Sequence, residues 1–181
     1  MFHHAFDTLP LATLIRKEDR KVFVVHGGLF DRNQNVKLSH IAAIKRRRSI
    51  PWGRQTFEDK LFEDMMWSDP REDMRGTEPS TRGAGVFFGP DVTERFCALN
   101  GISLVIRSHE CVKEGYMYQH QDRCLTIFSA SRYCGTGVNS GAFIVFDSDL
   151  TNVVQQFMAG PLESTKPAPL AAAALSQPYK P

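Results

Sequence analysis

With 181 residues, 42% of them hydrophobic and 13 of them phenylalanine, the chain is long enough to bury one sizeable core. A formal charge of +2 and a pI near 8.4 are too weak a bias to argue for nucleic-acid binding by themselves, and no apolar run approaches the roughly 18 residues of a membrane span. A soluble protein with neither membrane nor nucleic acid as partner is expected. The opening MFHHAFDTLPLATLIRKEDR has no basic n-region and no small-residue cleavage site. Cys97, Cys111, Cys124 and Cys134 follow no zinc spacing and read as reduced thiols, which suits the cytoplasm, with the nucleus as a second location.

In chain order, residues 21–25 (KVFVV) predict a strand that stops at His26-Gly27-Gly28. Helical spacing follows over 38–48, with Ile41 and Ile44 on one face, and again over 57–67. Residues 68–83 are rich in Pro, Gly, Ser and charge and predict a loop. Pro90 suits the first turn of a helix over 90–100, and Gly101 is placed to end it. Four closely spaced strands are then expected, at 103–107, 124–129, 142–146 and 152–157, in an antiparallel or mixed sheet. Short apolar runs alternating with helices indicate an α/β or α+β domain. From Ala159 the chain turns Pro- and Ala-rich, so 159–181 is expected to be disordered or loosely attached.

Two histidines share a setting. His26 follows one apolar strand and His109 another, and a strand end is a rigid platform for binding groups. Neutral imidazole is a common metal ligand, and glycines after His26 would let backbone approach a metal or an anion. Each histidine also reads as a hydrogen-bonded loop residue. Arg82, before Gly83, suits bidentate phosphate recognition, or is a solvated loop arginine. Tyr133 is a hydroxyl donor to phosphate or a packed aromatic. The basic run at 45–48 (KRRR) reads as a nuclear-import or polyanion patch, or as a solvated helix end meeting the dipole. Trp67-Ser68-Asp69-Pro70 looks like an aromatic anchor followed by a turn.

The series LPLATLI, VFVVHGGLF, MMWSDP, RGAGVFFGPDV, LVIRSHECVKEGY, CLTIFSASRYCG and NSGAFIVF resembles, in order and spacing, the catalytic domain of the PPP-family phosphoprotein phosphatases. Within that family, IRSHE and FSAS are most similar to the branches bearing tetratricopeptide repeats or EF-hands. The resemblance implies an α/β, calcineurin-like metallophosphoesterase fold over 1–158, a layered β-sandwich flanked by helices, of which only the second half is present. It implies metal-dependent hydrolysis of phosphoserine and phosphothreonine, with phosphoproteins as substrates and two divalent ions, of manganese or iron/zinc type, in a complete site. His26 and His109 correspond to ligands of the second metal, Arg82 to a phosphate contact, and Tyr133 to the tyrosine lying over the metals. In the SASRYC loop Ser131 and Arg132 stand where the family commonly has Pro and Asn.

The family's G-D-x-H-G, G-D-x-x-D-R-G and G-N-H-E motifs do not occur in the sequence. They carry the first metal's ligands, the bridging carboxylate, the asparagine on the second metal and the general acid. The resemblance therefore implies a fragment or one piece of a split protein, inactive alone, whose partner is a regulatory subunit or the missing N-terminal half. The alternative from another class is a non-catalytic fragment that binds phosphatase regulators or substrates.

Overall fold

The computed structural model describes residues 2–31, 35–53 and 55–160. A short helix α1 (Phe2–Phe6) leads into strands β1 (Ala12–Lys17) and β2 (Arg20–Val25). Helices α2 (Leu38–Ala42) and α3 (Phe57–Trp67) follow, then three short strands, β3 (Asp69–Pro70), β4 (Thr77–Pro79) and β5 (Val86–Phe88). Helix α4 (Pro90–Asn100) precedes β6 (Leu104–Arg107), β7 (Tyr116–Gln119), β8 (Cys124–Ile127), β9 (Gly141–Phe146) and β10 (Asn152–Phe157).

The main sheet runs β1-β2-β6-β8-β7. Its three inner strands are parallel and its two outer strands antiparallel to their neighbours, so the sheet is mixed, as the strand spacing predicts. The period of two along a strand divides the core. Phe23, Val25 and Val105 face the helical layer, where Leu61, Phe62 and Met65 of α3 and Val92, Phe96 and Cys97 of α4 complete one buried cluster. Val22, Leu104, Ile106 and Leu125 face the other way, under Ile144, Phe146 and Val154 of the β9–β10 ribbon. A one-residue slip of β2 or β6 would exchange the two sets. All of β6 is buried, which suits a strand covered on both faces. The ribbon's outer face remains open, with Phe143, Val145, Val153 and Phe157 exposed.

Helices α3 and α4 fall where the sequence places them, for capping reasons. Thr56 accepts from Asp59 N at 3.1 Å and Asp59 reaches back to Thr56 N at 3.2 Å, a reciprocal capping box. Pro90 opens α4, and Gly101 closes it in the left-handed region at φ 64°.

Four expectations are corrected. The helix expected over 38–48 stops at Ala42. The basic run beyond it is therefore no solvated helix end. Arg46 donates to the carbonyls of Leu9 and Phe6, at 2.9 and 2.8 Å, fastening the N-terminal segment. Arg48 pairs with Asp59 at 2.7 Å and Glu58 at 2.9 Å, and both guanidiniums lie over the ring of Phe62. Residues 68–83 are not all loop, since β3 and β4 pair with β5 on either side. Third, β1 and β7 are additional strands. The strand expected over 124–129 ends at Ile127. All four cysteines are free. Of the segment 159–181, residues 161–181 lie outside the described residues. No helix among the described residues is long and apolar enough to cross a membrane.

Candidate functional site

Parallel pairing of β2 with β6 brings their C-terminal ends side by side, Val24 opposite Ile106. Ser108 N donates to His26 O at 3.0 Å, which locks the two strand ends together just before each histidine projects. The imidazole centroids of His26 and His109 consequently lie 5.1 Å apart. The glycines after His26 serve a different closeness from the one expected. A Cβ on Gly27 would sit 2.5 Å from the backbone of Met66 and Trp67, and one on Gly28 would collide with the ring of Phe88. They let the end of α3 pack against the β2 end, and Gly27 N donates to Met65 O at 2.7 Å.

His109 is held in a rare conformation. Its φ is 73°, and Glu110 N donates to Ser108 O at 2.9 Å across it, a three-residue turn of the left-handed kind that is strained for a side-chain-bearing residue. Such a turn persists only when its surroundings impose it. Asp69 supplies much of that constraint. Its carboxylate is wholly buried, with Oδ1 2.6 Å from Arg107 Nη2 and 3.1 Å from His109 Nδ1, while Oδ2 accepts from Arg82 Nε at 2.7 Å. Arg107, equally buried, also donates to Gly27 O at 2.6 Å, Ser68 O at 3.2 Å and Glu110 at 3.1 Å.

Electrostatics follow from this packing. Burial alone would raise the Asp69 carboxyl, but the bonds from His109 and Arg82 and the charge of Arg107 outweigh it and hold it well below the usual carboxylate range. His26 shifts downward, chiefly because its inner side is desolvated although its outer edge meets solvent, and also because His109 and Arg107 repel a further positive charge.

Arg82 is tied to the cluster by its pairing with Asp69. Gly83 takes φ 80°, turning the chain so that Arg82 reaches Asp69 with one edge of its guanidinium while its side chain stays 38% exposed. Among the described residues Tyr133 makes no hydrogen bond or ring contact with this cluster. Its ring stands edge-on to Phe128, with centroids 5.0 Å apart, and it is 51% exposed. Asn139 shapes its loop, accepting from Tyr133 N at 2.9 Å and donating to Ala130 O at 2.8 Å. Ser131 and Arg132 both grip Ala159: Ser131 Oγ accepts from Ala159 N at 3.0 Å and Arg132 Nε donates to Ala159 O at 2.9 Å.

A divalent ion takes roughly four to six ligands. Among the described residues no group of three or more His, Cys, Asp or Glu is arranged to hold one. Asp69 offers none, because both its oxygens are engaged by cations. The imidazole pair nevertheless fits part of a metal site. His109 turns Nδ1 toward a carboxylate, as metal-bound histidines do, and the ring of His26 has no hydrogen-bond partner among the described residues. Trp67, whose ring stands edge-on to His109 at 5.5 Å, carries a buried Nε1 that lacks a partner among those residues. A donor is left over at the border of the site.

Sequence reasoning singled out the two histidines, Arg82 and Tyr133, read Asp69 only as part of a turn, and did not single out Arg107 or Glu110. The signal was Arg107 itself. An arginine closing an apolar strand such as LVIR needs a buried counter-charge.

Comparison with known proteins shows the family of the chain. Residues 1–113 match the calcineurin-like phosphoesterase family. A serine/threonine-protein phosphatase T of Aspergillus oryzae is 44% identical over 92% of this chain and 33% of its own length. A serine/threonine-protein phosphatase 5 of Solanum lycopersicum is likewise 44% identical over 92% of this chain and 28% of its own length. A solved serine/threonine phosphatase from Saccharomyces cerevisiae, described as similar to a human phosphatase, superposes with a TM-score of 0.75 at 31% identity, over 89% of this chain and 50% of that one. The chain thus spans about a third of the curated relatives it matches. It belongs to the calcineurin-like phosphoesterases, a metal-dependent family, and within them to the PPP-family phosphoprotein phosphatases.

Proposed function

We propose that this chain supplies one part of a serine/threonine phosphoprotein phosphatase site and acts on phosphoserine and phosphothreonine when the remaining ligands are provided. The observation that carries the reading is the convergence of two strand-end imidazoles, 5.1 Å apart, with Arg82 tied to the same cluster through Asp69. His26 and His109 would hold one of two divalent ions, of manganese or iron/zinc type. Bound divalent ions supply an activated water and neutralise phosphoryl oxygens. Arg82 would orient the substrate phosphate, and Tyr133 would reach it from the loop at 130–134.

On this reading residues 1–158 form the catalytic part, with 159–181 appended. The substrates are phosphoproteins of the cytoplasm or nucleus. The second partner is a polypeptide bearing the G-D-x-H-G, G-D-x-x-D-R-G and G-N-H-E motifs, which this sequence lacks. The test is manganese-dependent hydrolysis of p-nitrophenyl phosphate by the chain alone and after mixing with such a polypeptide. Activity is expected only in the mixture and is lost in His109→Ala. Full activity in that variant would sink the assignment. An inactive mixture that still retains phosphoproteins would favour a binding role instead.

A further inference from the structure

Strands β2, β6 and β8 run parallel, so the loop after β8 leaves the main sheet at the same edge as His26 and His109. That loop carries Tyr133. Resting on the reading of Tyr133 as a phosphate contact, we propose that Ser131 and Arg132 are positioning residues: together they latch the loop to the peptide of Ala159, just beyond β10, and so set where Tyr133 meets substrate phosphate.

Strain is the first observation. Arg132 and Cys134, on either side of Tyr133, both lie in the left-handed region, at φ 52° and φ 60°. That conformation is costly for residues with ordinary side chains and persists only where the surroundings impose it. Asparagine or glycine adopts it more readily than arginine does. What arginine adds is reach: its Nε donates to Ala159 O at 2.9 Å, across 27 residues of chain. Ser131 Oγ accepts from Ala159 N at 3.0 Å, a contact for which proline would carry no hydroxyl. Two adjacent side chains thus engage both the N–H and the C=O of one residue, and they are the two at which SASRYC departs from the PPP pattern. The anchor is firm. Phe157 pairs with Gly141 of β9, and its ring packs so closely there that a Cβ on Gly141 would lie 2.6 Å from it. Inside the loop, buried Asn139 accepts from Tyr133 N at 2.9 Å and fixes the base, so the latch to Ala159 is what restrains the other side. The Tyr133 hydroxyl makes no hydrogen bond among the described residues, so its place follows from the backbone that carries it.

The experiment starts with amide hydrogen exchange in the 181-residue chain alone, compared with Ser131→Ala/Arg132→Ala. The deciding amides are Tyr133 and Gly135, which bond Asn139 and the Arg132 carbonyl and neither of the side-chain groups removed. Exchange faster by about 5–30-fold at both is expected, with the buried Val105 amide unmoved. Unchanged exchange at Tyr133 and Gly135 overturns the proposal. Hydrolysis of p-nitrophenyl phosphate in the mixture with the motif-bearing polypeptide then asks whether the latch acts through Tyr133. KM is expected to rise by about 2–10-fold and kcat to change less, and the same substitutions in a Tyr133→Phe background are expected to add nothing. An equal rise in that background overturns the proposal. Should the double variant not fold, Ser131→Ala alone carries both measurements. A mixture without activity sinks the phosphatase reading separately, and the exchange measurement then decides the latch.

Discussion

His109 and His120 both occupy the left-handed region of backbone space, at φ 73° and φ 55°, and both follow strands of the main sheet. Their surroundings differ. His120, 2% exposed, has both ring nitrogens engaged by neutral groups: Nδ1 lies 2.7 Å from Thr93 Oγ1 and Nε2 lies 3.1 Å from Arg71 O. His109 has one nitrogen on a carboxylate. With both nitrogens occupied, an imidazole ties α4 to the segment after β3 and has nothing left to offer a ligand. With one occupied, it becomes a directed donor. Two histidines of one fold thus differ in how many ring nitrogens their surroundings engage, two for His120 and one for His109.

Breaking the carboxylate side of this comparison should have the largest effect. Asp69→Ala leaves Arg107 buried without its closest counter-charge and is expected to cost about 3–5 kcal/mol, read by urea unfolding. A loss under about 1 kcal/mol would mean that Glu110 alone satisfies Arg107. Next comes the brace. His120→Ala strands the Thr93 hydroxyl and the Arg71 carbonyl in the interior, at about 2–3 kcal/mol, whereas His109→Ala should cost only about 1 kcal/mol while removing Mn2+ uptake. Equal losses from the two would erase the distinction drawn here.

The comparison also has a pH signature. Burial lowers the pKa of His120, against opposing pulls from the Arg71 carbonyl and the charges of Glu72 and Asp91. Unfolded, the ring takes up its proton near 6.5; folded, it resists to lower pH. Its contribution is therefore fully present above the unfolded value and is lost as pH falls below it toward the folded one. Melting temperatures followed from about pH 8 to about pH 5 should drop less steeply in His120→Asn than in the wild type; parallel curves would contradict the assignment. The smallest expected effect is that of Gly83→Ala, about 1 kcal/mol, because φ 80° is costly for alanine although no atom lies within 4 Å of the added Cβ. Its sharper readout is weaker phosphate binding in the reconstituted mixture, through displacement of Arg82.

How much of this was visible beforehand depended on the range of the forces involved. The α3 and α4 boundaries were legible because Thr56, Asp59, Pro90 and Gly101 act within one turn of each end. The strand ends carrying His26 and His109 were legible from abrupt changes in hydrophobicity. The stop of α2 at Ala42 was not, since Arg46 and Arg48 leave the helix to meet Phe6, Leu9, Glu58 and Asp59, partners set by tertiary packing. Nor were β1 and β7, whose half-exposed sequences are strand only because β2 and β8 pair with them. The coupling of Asp69 to Arg107 across 38 residues had a one-sided signal, an arginine needing a counter-ion, with nothing to say which carboxylate would answer.

The β9–β10 ribbon has a colloidal consequence. Its strands form a ladder only with each other among the described residues, and apart from Ala142, which bonds Phe128 and Ser129, their edges can still pair beside a wet face of Phe143, Val145, Val153 and Phe157. Molecules that add edge to edge or face to face there would hide apolar area in one another, so light scattering and the apparent melting point should both climb with protein concentration. A polypeptide that lays a strand along that ribbon would compete with this self-association and make the chain more soluble as it binds.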